Sequence, residues 1–223
     1  MNRTSKGLLL LVAVAVLGVG VLFYARSGQK QDVVSTTQST PAATSASDSS
    51  ANLPKSETEK RFEGFVGDDY DRMFLANMIA HHQGAVDMAK LAQTNAKHVE
   101  LKQMANDIIA TQTNEINNML QWQKDWGYPA TSGEAMVDHS AMSMEMDMED
   151  MTKALQGKAG DDFDKAFISS MIQHHESALA MARPGLKNAS HQQVKDTVKA
   201  IIDAQTQEIT QMKQWQKDRG FGS

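Results

Sequence analysis

The residues of this chain best suited to chemistry are four histidines set as two adjacent pairs, His81/His82 and His174/His175. A methionine stands three residues before the leading histidine of each pair, Met78 or Met171, and another seven after it, Met88 or Met181. At 3.6 residues per turn, steps of three, four and seven return to nearly one azimuth, so imidazoles and thioethers gather on one helix face. Adjacent histidines point about 100° apart on a helix, so the two members of a pair need not hold the same ion. Taken singly, each methionine reads as core packing, a role that a flexible thioether fills readily. The histidines change that reading. A buried imidazole needs a partner for each ring nitrogen, and two consecutive ones on an apolar face, placed twice, are a costly way to build a core. They read as metal ligands, in two sites or in one shared site.

Ligand type selects the metal. Di-iron bundles use Glu-x-x-His, whereas the position three before each leading histidine is Met78 or Met171. Imidazole with thioether suits copper, copper(I) through methionine and copper(II) through histidine. Iron, manganese or zinc would be expected to bring carboxylate or thiolate. Zinc or nickel on histidine alone is the alternative.

Three further groups of residues bear on the site. Gln112, Glu115 and Met119 recur as Gln205, Glu208 and Met212 on the inward stripe of a second helix. The glutamines and glutamates are expected to orient the histidines by accepting a ring N–H; a buried interhelical hydrogen bond or a wetter helix face is the competing reading. His98 and His191 open the second helices as cap residues or as extra ligands. Between the halves runs MVDHSAMSMEMDMEDM, which brings His139, Met142, Met144 and Met146 as candidate copper(I) ligands on an exposed segment. Met148 and Met151 at its end are expected to start a short amphipathic turn with Leu155.

The elements that must position these residues are duplicated. From Asp68 to Tyr128 the sequence aligns without gaps on itself at an offset of 93, with 28 of 61 positions identical. Shared composition does not produce that, so the halves are tandem repeats, 68–128 and 161–221. In each, an acidic cluster (Asp68/Asp69/Asp71 or Asp161/Asp162/Asp164) is expected to cap a first helix carrying the histidine pair. Breaks near Asn95 and at Pro184-Gly185 precede second helices that begin near His98 and His191 and end at Gly127 and Gly220. Two such hairpins should pack as an antiparallel four-helix bundle over 62–221, with the methionine-rich loop at 129–151.

Before the bundle, residues 29–61 are rich in Ser, Thr, Ala and Gln and read as a disordered linker. Residues 1–28 read as an export signal. Arg3 and Lys6 precede an uncharged run from Gly7 to Ala25, about long enough to cross a ~30 Å hydrocarbon layer. An uncleaved transmembrane anchor holding the remainder outside the cytoplasm is the expectation, and a cleaved signal the alternative.

Composition excludes several classes. There is no cysteine, which removes thiolate catalysis, disulfides and cysteine zinc sites, and leaves methionine as the soft ligand. A net charge of -5 without a basic stripe argues against nucleic acid. No Ser-His-Asp or glycine-rich phosphate motif is evident, so neither hydrolysis, phosphoryl transfer nor an organic cofactor is expected.

The stretches FLANMIAHHQGAVDMA, FISSMIQHHESALAMA, TNEINNMLQWQ and TQEITQMKQWQ resemble domain-of-unknown-function family 305 of bacteria over roughly Phe62 to Arg219. The resemblance implies a ferritin-like four-helix bundle, commonly exported and associated with copper binding and copper tolerance. Residue by residue it points to Met78, His81, His82 and Met88, then Met171, His174, His175 and Met181. The resulting expectation is a periplasm-facing copper protein that sequesters ions or passes them to other copper-handling proteins, without turnover. A redox enzyme such as a copper(I) oxidase, and a helical interaction module with incidental histidines, are the alternatives.

Overall fold

The computed structural model describes residues 55–128 and 148–221. The expected membrane anchor, the linker up to residue 54 and the ligands His139, Met142, Met144 and Met146 lie outside the described residues. Within them every regular element is a helix: α1 Glu57–Glu63, α2 Asp68–Asn95, α3 Val99–Trp126, α4 over 148–155, α5 Gly160–Ala182, α6 Gly185–Asn188 and α7 Gln192–Arg219. Among the described residues no helix is long and apolar enough to cross a membrane.

The first helix corrects one boundary. Residues 57–61 were expected in the disordered linker, yet they are helical, because Ser56 accepts a hydrogen bond from the Glu59 amide and Phe62 is fully buried. A serine cap before an acidic first turn, with one aromatic to bury, is enough to start a helix in polar sequence.

The long helices end where local chemistry dictates. His98 and His191 are the residues just before α3 and α7, and Gly127 and Gly220 terminate them in the left-handed region at φ 67° and 65°. Repeat 2 departs from repeat 1 at Pro184, which has no N–H to continue a helix, so α5 stops at Ala182 while α2 runs on to Asn95. Tyr70 of α2 fills that break, its hydroxyl donating to the Met181 carbonyl at 2.9 Å. A Cβ at residue 185 would stand 2.3 Å from the same hydroxyl oxygen, so only Gly185 fits there.

Packing joins α2 to α3, α5 to α7, and the two hairpins to each other through α2 and α5. Buried side chains form two clusters. One contains Met88, Met171 and Met212 with Phe163, Phe167 and Leu155. The other contains Met78, Met119 and Met181 with Phe62, Tyr70 and Phe74. The expected amphipathic turn is α4: Met148 and Leu155 are buried, and Leu155 and Met151 pack with the first cluster.

The acidic clusters do something other than expected. No side chain caps α2 or α5 from its own N-cap position. Instead, buried Asp71 accepts from the amides of Ser190 and His191 (3.1 and 2.8 Å) and pairs with His191 Nδ1 at 2.7 Å. Its repeat partner Asp164 accepts from the amides of Lys97 and His98 (3.0 and 3.1 Å) and pairs with His98 Nδ1 at 2.5 Å. Each repeat therefore caps the second helix of the other. The burial of these carboxylates is what redirects them: a buried acceptor takes the donors within reach, and those are the free amides of the opposite helix start.

Candidate metal centre

The helices α2 and α5 carry the histidine pairs into the interior, where His81, His82, His174 and His175 are all fully buried. His81 and His174 meet between the hairpins with ring centroids 3.7 Å apart, tilted by 41°. Their neighbours face away from that contact toward the second helices. His82 Nε2 stands 2.8 Å from Glu115 Oε2 on α3, and His175 Nε2 stands 2.6 Å from Glu208 Oε2 on α7.

Those partners assign protons. A carboxylate only accepts, so His82 and His175 donate from Nε2 and leave Nδ1 as a lone pair. His174 Nε2 donates to the His81 carbonyl oxygen at 2.9 Å, which leaves its Nδ1 likewise. Nδ1 of His82, His174 and His175, and both ring nitrogens of His81, are buried without any hydrogen-bond partner. A buried polar atom left unpaired costs about 1–3 kcal/mol. One such atom is a local defect; five, on two adjacent pairs that meet through His81 and His174, are a set of unused nitrogens. The carboxylate behind each outer imidazole is the arrangement that fixes tautomer and ring orientation in metal-binding histidines.

Burial also keeps the two inner rings neutral. His81 is held well below the ordinary value of 6.5, first by loss of solvation and then by repulsion from His174, His82 and His175. His174 is lowered in the same way, first by burial and then by His175. A metal ligand must be neutral imidazole, and these two are so without competition from protons near neutrality.

The thioethers are divided differently from the one-face picture. Met78 and Met88 are ten residues apart on α2, about 15 Å along the axis, and cannot reach one ion. The structure places Met78 with Met181 of the other repeat and Met119, and Met88 with Met171 and Met212. Each end of the histidine quartet thus has three fully buried methionines drawn from both repeats. Met119 and Met212 had not been singled out as ligands. The signal was present: each follows the histidine-orienting glutamate by four residues, on the same face of its helix.

Of the remaining candidates, Gln112 and Gln205 are buried, but their Oε1 atoms have no partner and they do not bond the histidines as expected. His98 and His191 stand at the helix starts, beyond the far ends of α2 and α5 from the quartet, with Nδ1 committed to Asp164 and Asp71. His98 with Asp161 and Asp164, and His191 with Asp68 and Asp71, bring three ligand atoms within 4.8 Å of one another, a spacing that three members of the central quartet do not reach.

The described residues are thus all-helical and enclose a buried imidazole quartet with a cluster of thioethers at either end. The family model described as "Domain of unknown function (DUF305)" matches residues 23–120 and again 71–216, and the chain belongs to this family. CopM in its Cu(I)-bound form is 34% identical, with a TM-score of 0.54 over 66% of this chain and 96% of that one. CopM has also been solved in Cu(II)-bound and Ag-bound forms. A DUF305 protein from Streptomyces coelicolor is 26% identical, with a TM-score of 0.60 over 67% of this chain and 93% of that one. An uncharacterized protein of Acanthamoeba polyphaga mimivirus is 45% identical over 49 residues, 22% of this chain, and the match spans about a third (32%) of that protein's length. The solved relatives that carry copper support a copper-related role for the family fold.

Proposed function

We propose that this protein binds copper as cargo at the buried centre formed by His81, His82, His174 and His175 with Met78, Met119 and Met181 on one side and Met88, Met171 and Met212 on the other. The observation that carries the reading is the set of unpaired buried ring nitrogens, two of them on imidazoles backed by Glu115 and Glu208. Soft thioethers beside imidazoles favour copper(I), and the absence of cysteine leaves methionine to supply the soft donors. The scaffold in this reading is a ferritin-like antiparallel four-helix bundle made of two tandem hairpins. The amino-terminal apolar segment tethers it to the bacterial inner membrane facing the periplasm, where it sequesters copper or passes it to other copper-handling proteins and so contributes to copper tolerance. No turnover is required of it.

The test is an anaerobic titration of the full-length protein with copper(I) against a competing chelator, with zinc(II) and iron(II) alongside. Selective retention of copper(I), lost when the four histidines are replaced by leucine in a variant of unchanged helical content, is the expected result. Equal retention by that variant would overturn the proposal.

A further inference from the structure

The two thioether clusters differ in what leads outward from them. On α3, Trp122 and Trp126 follow Met119 by three and seven residues, steps that return to one helix face. Both indoles pack against the cluster that holds Met78, Met119 and Met181. Their rings are stacked, with centroids 5.9 Å apart and planes 12° from parallel. Trp126 then meets Tyr128 edge-on at 5.7 Å and lies flat against His191, with centroids 3.8 Å apart. Trp122, Trp126, Tyr128 and His191 are each partly exposed, so a continuous run of rings reaches from the buried thioethers to the surface.

Repeat 2 keeps only the first of these indoles. Trp215 packs against the cluster of Met88, Met171 and Met212, but Arg219 stands where repeat 1 has Trp126, and Phe221 where it has Tyr128. Closing this end of a hairpin therefore does not require a second oxidisable ring. The Arg219 guanidinium lies 5.5 Å from the centroid of the Trp215 ring. A cation so placed is attracted to a neutral indole and repels one that has lost an electron. Around Trp126 the nearest charge has the opposite sign: the imidazole stacked on it is held at Nδ1, at 2.7 Å, by the buried Asp71 carboxylate. An anion in that poorly solvated position favours a positive charge on the Trp126 ring.

We propose that Trp122 and Trp126 form a one-electron relay from the Met78, Met119 and Met181 end of the centre to the surface, through which copper(I) held there is oxidised by an outer-sphere oxidant too large to enter the bundle. The oxidant takes one electron from Trp126 and is reduced. Copper(I) returns one electron by way of Trp122 and becomes copper(II), so both indoles are restored. No bond forms or breaks, and no proton moves. The Met88, Met171 and Met212 end, where the run stops at Trp215, has no such exit. The inference rests on the copper reading above and adds to it a redox path at one end.

The test uses the full-length protein and a photogenerated ruthenium(III) polypyridyl oxidant, with tryptophan radicals followed by transient absorption in the absence of oxygen. In the metal-free protein the flash should leave a long-lived tryptophan radical; in the copper(I)-loaded protein that radical should disappear as copper(II) forms. Trp126→Phe keeps an aromatic ring in the stack but one far harder to oxidise, and it should lose the copper(II) signal. Trp126→Tyr should restore the signal, and Trp215→Phe should behave as the unaltered protein, all three with unchanged copper(I) retention and helical content. Copper(II) formation in Trp126→Phe at the unaltered rate would overturn the relay, as would a radical that persists in the copper(I)-loaded unaltered protein. Failure of the unaltered protein to retain copper(I) would overturn both the relay and the function it rests on.

Discussion

Two regions of this molecule combine histidine with carboxylate, each present twice, and they are built to opposite ends. At the helix junctions, Asp71 and Asp164 are fully buried, and each is met by two backbone amides and one imidazole. In the middle of α2 and α5, the four buried imidazoles have three partners among them at Nε2 and none at Nδ1. The junction groups are satisfied and the central ones are not. A histidine–acid pair is thus not by itself a metal site; what marks one is the donor atom left over after the structural bonds have been made.

Several changes should break or sharpen that contrast, beginning with the largest. Replacing the four central histidines should abolish copper(I) retention, whereas Asp71→Ala should leave it intact. The same aspartate substitution should destabilise the fold by about 3 kcal/mol in denaturant unfolding, because it strands the Ser190 and His191 amides and the imidazole. Should Asp71→Ala instead lose copper while keeping its stability, the two regions would have to exchange roles.

Glu115→Ala should weaken copper binding by about tenfold in chelator competition, since His82 would lose the bond that fixes its tautomer. A smaller effect of opposite sign is expected from His81→Leu in the metal-free protein. Removing two unpaired ring nitrogens in favour of an apolar side chain of similar size should raise stability by about 1 kcal/mol, read as a higher Tm. A loss of stability there would mean that the ring nitrogens are paired in the metal-free state.

The last effect depends on pH. His81 and His174 are lowered below 6.5 in the folded protein, so on acidification the unfolded chain takes up these protons first. Stability of the metal-free protein should be flat with respect to these groups above about 6.5 and should decline below it. The slope should shrink when both residues are leucine.

Much of this was legible in the sequence. The 93-residue repeat located α2, α3, α5 and α7 and the glycine ends of α3 and α7, and it made the two histidine pairs stand out. The three- and four-residue steps put Glu115 and Glu208 toward the imidazoles, where they are found. What depended on long-range packing was not legible. Helix periodicity predicts a face but not its neighbour, so the sorting of Met78 with Met181, and of Met88 with Met171, emerged only when α2 met α5. The same limit explains the aspartates: Asp71 looks like a cap for its own helix, and only the tertiary fold shows that it caps α7. Gly84 gave no sequence signal beyond a glycine inside a helical pattern, and only the tertiary fold shows that a Cβ there would meet Met148 at 3.2 Å.

The central claim is tested most directly by following the histidine ring nitrogens by NMR in isotopically labelled protein as copper(I) is added without oxygen. Coordination at Nδ1 of His82 and His175, with their Nε2 protons retained toward Glu115 and Glu208 and with His98 and His191 unchanged, is the expected result. Shifts confined to His98 and His191, with the central four unmoved, would contradict it.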